Sequence, residues 1–425
     1  MPEFKPFYGW RYHPERVDIS RIVAPPYDVV NEDEIRFYLK RDPYNIFHLE
    51  LGEELPGDHA KENRYLRAKR YLEEWIKRGI LIREARPAFY LYRLHFTYQG
   101  RSFTRTGFIG LVRLSPFNEG RILPHEKTFP KVTEDRLRLL RATGAQFSQV
   151  FALYGDPEGK TLSVPFPEKP LYKVEESADR VHEFYVIEDP EVQKTLSLCL
   201  SEKILYLADG HHRYTTALKY AEEMEAKIRP HGPRCFHYLM MYLCAFEDPG
   251  LLVLPTHRLL RAHFSKETVK KKLEGLAEIK AEGLSILDNP ERPFRNELLW
   301  VSSEGVLAIK IRPEVISAWE RESGLPEREL PAAWCARILE ILCEKSERTL
   351  KESGLLRYTP WIPEIKKEIR AGTQAFVLPP TPLSMLKKVA SSGKLMPHKS
   401  TYFYPKILSG FVIFRINPES KPPCP

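Results

Sequence analysis

No stretch of this 425-residue chain runs for the roughly 18 to 20 apolar residues that a bilayer-spanning helix needs. A membrane span is therefore not expected. The opening Met-Pro-Glu-Phe-Lys lacks the apolar core of a secretory signal, and the chain reads as cytoplasmic. Cysteine is scarce: Cys199, Cys235, Cys244, Cys335, Cys343 and Cys424 form no CxxC pair and no Cys/His zinc spacing. Reduced, mostly buried thiols are the expectation, with neither a structural zinc nor a disulfide framework. Walker P-loop and protein-kinase signatures are missing, so any phosphate chemistry must use another cradle. A basic tail is missing too: 65 basic residues are interleaved with 57 acidic ones, and the net charge of +8 favours small anionic ligands over nucleic acid.

What is present is enough apolar and aromatic content, 43% and 12%, for real cores in two or three domains. The high charge and 36 prolines would suit a thermostable protein. The most informative segment is Ile204 to Tyr220, where an apolar run of strand type, Ile204 to Ala208, meets Asp209-Gly210-His211-His212-Arg213. Tyr214, Ala217, Leu218, Ala221 and Met224 then recur at helical spacing, so Gly210 falls at a strand-to-helix turn and the charged group at a helix N-terminus. Such a terminus attracts anions, and Arg213 adds a forked donor. Asp209 would repel a phosphate there and is read as a Mg²⁺ ligand, a catalytic carboxylate or an acceptor that orients a histidine. The bland alternative makes Asp209 the helix N-cap and the histidines solvated turn residues.

Along the chain, helices are expected over Asn31 to Lys40, Ala60 to Arg78 and the charged stretch holding Glu134 to Arg141, and again over Leu383 to Ala390. Strands are expected over Phe89 to Phe96, Ser102 to Leu114, Val150 to Leu153, Phe236 to Phe246, Gln374 to Leu378 and Ser409 to Ile416. The dense polar stretch Leu123-Pro-His125-Glu126-Lys127-Thr128-Phe-Pro-Lys131 reads as a site loop. Lys399 and Lys406 flank Ser400 and Thr401, a second phosphate-cradle candidate, although solvated lysines beside a loop-edge strand are the commoner meaning of such a stretch. The expected organisation is 1–115 as an N-terminal α/β segment, 116–263 as the core with the Asp-Gly-His-His-Arg junction, 264–350 as an accessory subdomain without internal repeats, and 351–425 returning to the core. The fold class is α/β in the mixed α+β sense.

Several segments carry a family resemblance. Ala24-Pro-Pro-Tyr-Asp28, Pro43-Tyr-Asn45-Ile-Phe-His48-Leu, His125-Glu126-Lys-Thr128, Leu140-Arg-Ala-Thr-Gly-Ala-Gln146-Phe-Ser148, Ala208-Asp-Gly-His-His-Arg213, Glu247-Asp-Pro-Gly250, Leu254-Pro-Thr256-His257-Arg258 and Lys399-Ser-Thr-Tyr-Phe-Tyr-Pro-Lys406 together resemble the prokaryotic family catalogued as domain of unknown function 1015, over nearly the whole chain. More distantly, the strand-Asp-Gly-His-His-Arg-helix junction is similar to that of the ParB/sulfiredoxin-like superfamily, which includes an archaeal free-serine kinase, sulfiredoxin and chromosome-partitioning nucleotide switches. That resemblance implies a ParB/sulfiredoxin-like core with an additional sheet and helical subdomain, and a nucleotide or phosphate at the helix N-terminus.

The expected activity is transfer of a phosphoryl group to the hydroxyl of a small molecule, best a free L-serine kinase using ATP, ADP or pyrophosphate. Gly210, His211, His212 and Arg213 would hold phosphate, Asp209 Mg²⁺, and Glu126 would act as base. Lys131, Arg136 and Lys399 would neutralise the remaining charge, and Ser400 and Thr401 would bind phosphate. Tyr27, Asp28, Asn45, His48, His125, Thr128, Gln146, Thr256 and His257 complete the acceptor-binding candidates. Each has a structural alternative: Arg136 and Arg141 as partners of surface acids, Tyr27 and Asp28 as the end of a proline turn, His257 as a satisfied buried histidine. Two other functions stay open: a phosphatase acting on phosphoserine or a similar ester, and a non-enzymatic nucleotide-binding switch. The switch would call for a DNA-reading element, and sulfiredoxin chemistry for a cysteine where this chain has His211. The expected partners are an acceptor and a phosphoryl donor, with no membrane, nucleic acid not anticipated, and a homodimer left open.

Overall fold

A computed structural model describes residues 3–288 and 297–424. The fold is mixed α/β, and the chain divides into two compact units. The first comprises the residues up to Pro124, Thr128–Leu251 and those from Pro405 on; the second comprises His125–Lys127 and Leu252–Tyr404. The accessory segment expected over 264–350 lies inside this larger second unit, and of the expected return only the part from Pro405 on joins the first.

Among the described residues of the first unit, nine strands form one mixed sheet. They are β1 (Phe4–Lys5), β2 (Phe89–Tyr98), β3 (Arg101–Arg113), β4 (Ile122–Leu123), β5 (Val150–Tyr154), β6 (Tyr172–Ser177), β7 (Arg180–Ile187), β8 (Leu205–Asp209) and β9 (Tyr238–Ala245). The order is β4-β8-β5-β9-β3-β2-β7-β6, with β1 on β3. β5 and β9 run parallel, while β8 and β5 are antiparallel. β9 is Tyr-Leu-Met-Met-Tyr-Leu-Cys-Ala and is buried at every position, the composition of a strand covered on both faces. Its neighbour β3 carries Gly107, where a Cβ would stand 2.4 Å from the Tyr242 ring and 2.6 Å from the Leu243 carbonyl. Glycine is what lets the two strands pass that ring.

Four helices of this unit matter for the site: α1 (Phe47–Glu50), α2 (Arg64–Lys77), α3 (Pro130–Thr143) and α4 (His211–Ile228). α4 sets Tyr214 and Ala217 into the sheet core with Leu207, Val150 and Leu243. α1 and α2 form a second core in which Phe47, Leu49, Leu72 and Trp75 meet Leu139 of α3 and Ile413. α2 starts at Arg64 instead of Ala60, because the Asn63 side chain accepts from the Tyr65 and Leu66 amides and so sets the start of the helix. The expected strand Ser409 to Ile416 is mostly irregular. Only Phe414–Arg415 is a strand, paired with Ala145–Gln146, while Ser409 and Ile413 make single bridges to Ala24 and Trp10. Gly410 at φ +105° turns the chain inside this apolar run, so burial there does not mean extension.

Among the described residues of the second unit is a six-stranded sheet of β10 (His257–Leu260), β11 (Ala277–Glu282), β12 (Glu297–Ser302), β13 (Gly305–Ile311), β14 (Leu356–Thr359) and β15 (Gln374–Val377). Its order is β11-β13-β12-β15-β10-β14, and Trp300, Phe376, Trp334 and Ile338 lie in the core on one face.

The reduced-cysteine expectation is overturned in part. Cys235 and Cys424, 189 residues apart, form a disulfide that fastens the C-terminal segment beside the start of β9. Sequence spacing carried no sign of it, since the pair is brought together by the fold. Cys199, Cys244, Cys335 and Cys343 are free thiols. Thiol titration of the denatured, unreduced protein should therefore find those four, and six only after reduction; six without reductant would count against the bridge.

His257 behaves as the satisfied core histidine. Its Nδ1 accepts from the Leu378 amide at 3.1 Å, and burial, then Arg258, lowers its pKa to about 3 from an ordinary 6.5. The unfolded chain therefore takes up this proton at a higher pH than the folded one. Stability from this group is complete above about pH 6.5 and is lost as pH falls from there toward 3, by at most about 1.4 kcal/mol per pH unit. His257→Asn, which keeps an acceptor near Nδ1, should flatten the fall in urea midpoint between pH 7 and 5; an unchanged slope would show that other groups cause it.

Candidate functional site

β8 ends at Asp209, Gly210 is the N-cap of α4 with φ +88°, and the helix opens without a side-chain cap. The N-cap reading of Asp209 thus gives way to a different arrangement. Asp209 Oδ1 accepts from the Gly210 amide at 2.8 Å, and Oδ2 pairs with Lys406 Nζ at 2.9 Å. A Cβ on Gly210 would meet Arg213 Nη2 at 2.9 Å, so residue 210 must be small as well as left-handed.

Arg213 folds back over this turn. Its Nη1 donates to the Gln149 carbonyl at 2.8 Å, while Nε is buried and has no hydrogen-bond partner. Among the described residues it has no carboxylate within ion-pair distance. Burial opposes its charge, but Asp209, Tyr27, Asp28 and Glu50 together hold its pKa above the ordinary arginine value. The Tyr27 ring receives two guanidinium groups, Arg136 at 4.4 Å and Arg213 at 5.8 Å from its centroid. Burial, then Asp28, raises the Tyr27 phenol's pKa against the pull of those two arginines. Tyr27 is thus a platform for the arginines, beyond merely ending a proline turn.

The histidines of the junction differ. His211 is buried at the first turn of α4. His212 Nε2 accepts from the Phe129 amide at 2.9 Å, and its ring stacks on Phe129. That hydrogen bond requires a lone pair on Nε2, which puts the proton of the neutral ring on Nδ1. His212 therefore anchors the residue that precedes α3.

Arg136 is buried on α3, as expected of a site arginine, but much of its donor capacity is used. Nε and Nη2 reach Asp135 at 2.8 and 2.5 Å, and Nη1 donates to the Glu50 carbonyl at 2.7 Å. Arg141 pairs with Glu134 and Glu223 on the surface. Arg136, Arg213, Glu50, Gln146 and Ser148 line a cavity of about 50 Å³ with an apolar wall that includes Leu139, Phe147 and Leu239.

Other expected binders are spent on structure. Asn45 is fully buried, its amide donating to Arg21 O and accepting from Phe47 N. His48 Nε2 bonds the Leu39 carbonyl. Gln146, although on the cavity wall, donates to Tyr238 O and accepts from Met240 N. Lys131 and Asp28 are exposed, and Thr128 is half-buried.

The remaining candidates belong to the second unit and gather there among themselves. His125 Nε2 bonds Thr401 Oγ1 at 3.0 Å and lies 3.9 Å from Glu126 Oε1. Glu126 Oε2 is 3.9 Å from His398 Nδ1, and Lys351 Nζ meets His398 Nε2 at 3.0 Å. Burial, then Lys399, lowers the Lys351 pKa. Ser400 Oγ donates to Pro397 O, and Arg258 takes the Thr256, His398 and Lys399 carbonyls while pairing with Glu347. Lys399 and Lys406, read as flanking one cradle, fall in different units.

Among the described residues no three His, Cys, Asp or Glu side chains form a metal-holding group. Glu50, Ser148 and Gln149 carry no local sequence signal, since their parts depend on distant partners, and Lys406 is signalled only by the two-lysine pattern.

The Asp209–Lys406 pair is tested by a double-mutant cycle. Asp209→Asn and Lys406→Met should each destabilise the protein to urea, and the double variant should lose less than their sum by about 1–2 kcal/mol. Strict additivity would remove the pair as a contributor.

Among solved structures, a free serine kinase variant in complex with ADP is 11% identical, covering 70% of this chain and 90% of that one with a TM-score of 0.38. A conserved hypothetical protein from Pyrococcus furiosus (11%, 70% and 93%, TM-score 0.36) and SbnI with a C-terminal truncation from Staphylococcus aureus (11%, 71% and 86%, TM-score 0.37) are similar to the same degree. Scores this low establish no residue correspondence with the present chain. No curated protein matches it. Residues 4–325 match the family described as Protein of unknown function (DUF1015), and over that span of more than half its length the chain belongs to that family.

Proposed function

We propose that this protein is a phosphotransferase acting on the hydroxyl of a small acceptor, with free L-serine as the acceptor and ATP, ADP or pyrophosphate as the donor. The observation that carries this reading is Arg213: a guanidinium with an unpartnered, buried Nε, set over a glycine N-cap where α4 begins without a side-chain cap. Oriented donors of this kind, fixed before the reaction, stabilise charge on a transferring phosphoryl group without reorganising.

In the proposed step the acceptor oxygen forms a bond to phosphorus as the bond to the donor's leaving phosphate breaks. His211 and Arg213 hold the phosphate oxygens at the turn that Gly210 makes, with Arg136 as the second buried cation on Tyr27. Lys406 keeps the Asp209 carboxylate paired, which limits its repulsion of an incoming anion. The hydroxyl proton passes to a carboxylate base. Mg²⁺ belongs to the proposal as an ion carried by the donor's phosphates, whose charge it would offset.

Purified protein, Mg²⁺ and L-serine are to be incubated separately with ATP, ADP and pyrophosphate and followed by phosphorus NMR. A phosphoserine resonance with one donor is expected. Arg213→Lys, which keeps the charge and loses the fork, should lower kcat/KM by roughly 100-fold or more. Silence with every donor, together with phosphate release from added phosphoserine, would replace the kinase by a phosphatase. Full activity in the Arg213 variant would remove the cradle.

A further inference from the structure

Glu50 is the least explained charge in the first unit. It ends the short helix α1, is 2% exposed, and uses only one of its two oxygens: Oε1 accepts from the Ser148 hydroxyl. Oε2 is buried and has no hydrogen-bond partner. Among the described residues no cation lies within ion-pair distance of this carboxylate, although Arg136 donates to its main-chain carbonyl and Arg213 feels its charge. A carboxylate removed from water without a partner costs several kcal/mol, so such a group is kept where something else completes it.

The bare oxygen belongs to a residue that lines the cavity, and Arg136, Arg213 and Ser148 line it as well. At about 50 Å³ the space holds roughly four waters, room for the polar end of a small molecule. Its charges are asymmetric, with one carboxylate among two guanidinium groups. An occupant that satisfies all of them carries a cationic donor for Glu50 and an anionic or neutral acceptor for the arginines. The arginines are held in place by Asp135, the Glu50 main chain and the Gln149 carbonyl.

We infer that Glu50 is the recognition group for an ammonium on the acceptor, so that the cavity selects amino alcohols over alcohols lacking the amine. This deepens the proposed phosphotransferase reading by assigning the group that chooses its acceptor. Glu50 acts here as a specificity-determining residue. Its neighbour Ser148 orients it by holding Oε1, leaving Oε2 to the ligand.

The test is binding, measured by calorimetry on the full-length protein without any phosphoryl donor, with L-serine and its des-amino analogue 3-hydroxypropionate as probes. Wild type should bind L-serine roughly 10- to 100-fold more tightly than the analogue, the worth of a charge-assisted hydrogen bond. Glu50→Gln should abolish that preference by weakening serine alone, with affinity for the analogue about unchanged as proof of an intact cavity. Equal binding of both probes by wild type, a Glu50→Gln variant that keeps the preference, or no binding of either probe would overturn the inference and leave Glu50 to buried water. Should Glu50→Gln fail to fold, the wild-type comparison alone decides. Phosphoserine formation without amine preference would sink this inference and leave the kinase standing, whereas amine-selective binding without phosphoryl transfer would do the reverse.

Discussion

Everything in the candidate site follows from one backbone constraint, the left-handed turn at Gly210. β8 is buried in the sheet and α4 packs on that same sheet, so the chain must reverse within one residue while keeping Leu207 and Tyr214 in a common core. An L-residue at φ +88° is strained, and a side chain there would displace the Arg213 guanidinium. Once the turn is made, Asp209 and Arg213 are brought close without pairing directly. The acid goes to Lys406 and the base to a main-chain carbonyl, which keeps a cation available beside the helix start.

A second layer of constraint comes from the segment after Pro405. Arg105 donates to the Pro405 carbonyl, Lys406 reaches Asp209, the Leu408 amide meets the Tyr92 hydroxyl, and the Leu408 carbonyl accepts from Gln149. Gln149 in turn supplies the carbonyl that holds Arg213. The disulfide at Cys424 closes this return. The site is thus supported by contacts that join residues up to 316 positions apart, as with Tyr92 and Leu408.

What could be read in the sequence and what could not divides along the same line. The β2–β3 pair, the helix α3 and the strand-to-helix change at Gly210 were legible because apolar periodicity and a glycine are local signals. The family was legible from ordered motifs. The roles of Glu50, Lys406 and Cys235 were not, since each depends on a partner 98, 197 or 189 residues away. Asn45, His48 and Gln146 sat in the right motifs but face backbone groups, because a buried turn must satisfy its own polar atoms before any ligand can use the side chain. The run Ser409 to Ile416 shows the converse failure, where apolar residues mark burial while a positive-φ glycine prevents a strand.

The discontinuity of the first unit also bears on how the protein is made. All of Leu252–Tyr404 leaves the ribosome between the bulk of that unit and the residues that complete it. Domains usually fold in the order of their synthesis. Here the second unit has its whole sequence available before the first does, and although all nine strands of the first unit's sheet precede Leu252, Asp209 lacks its lysine until the chain comes back. In vectorial synthesis, then, the unit that begins first is the last to have its whole sequence.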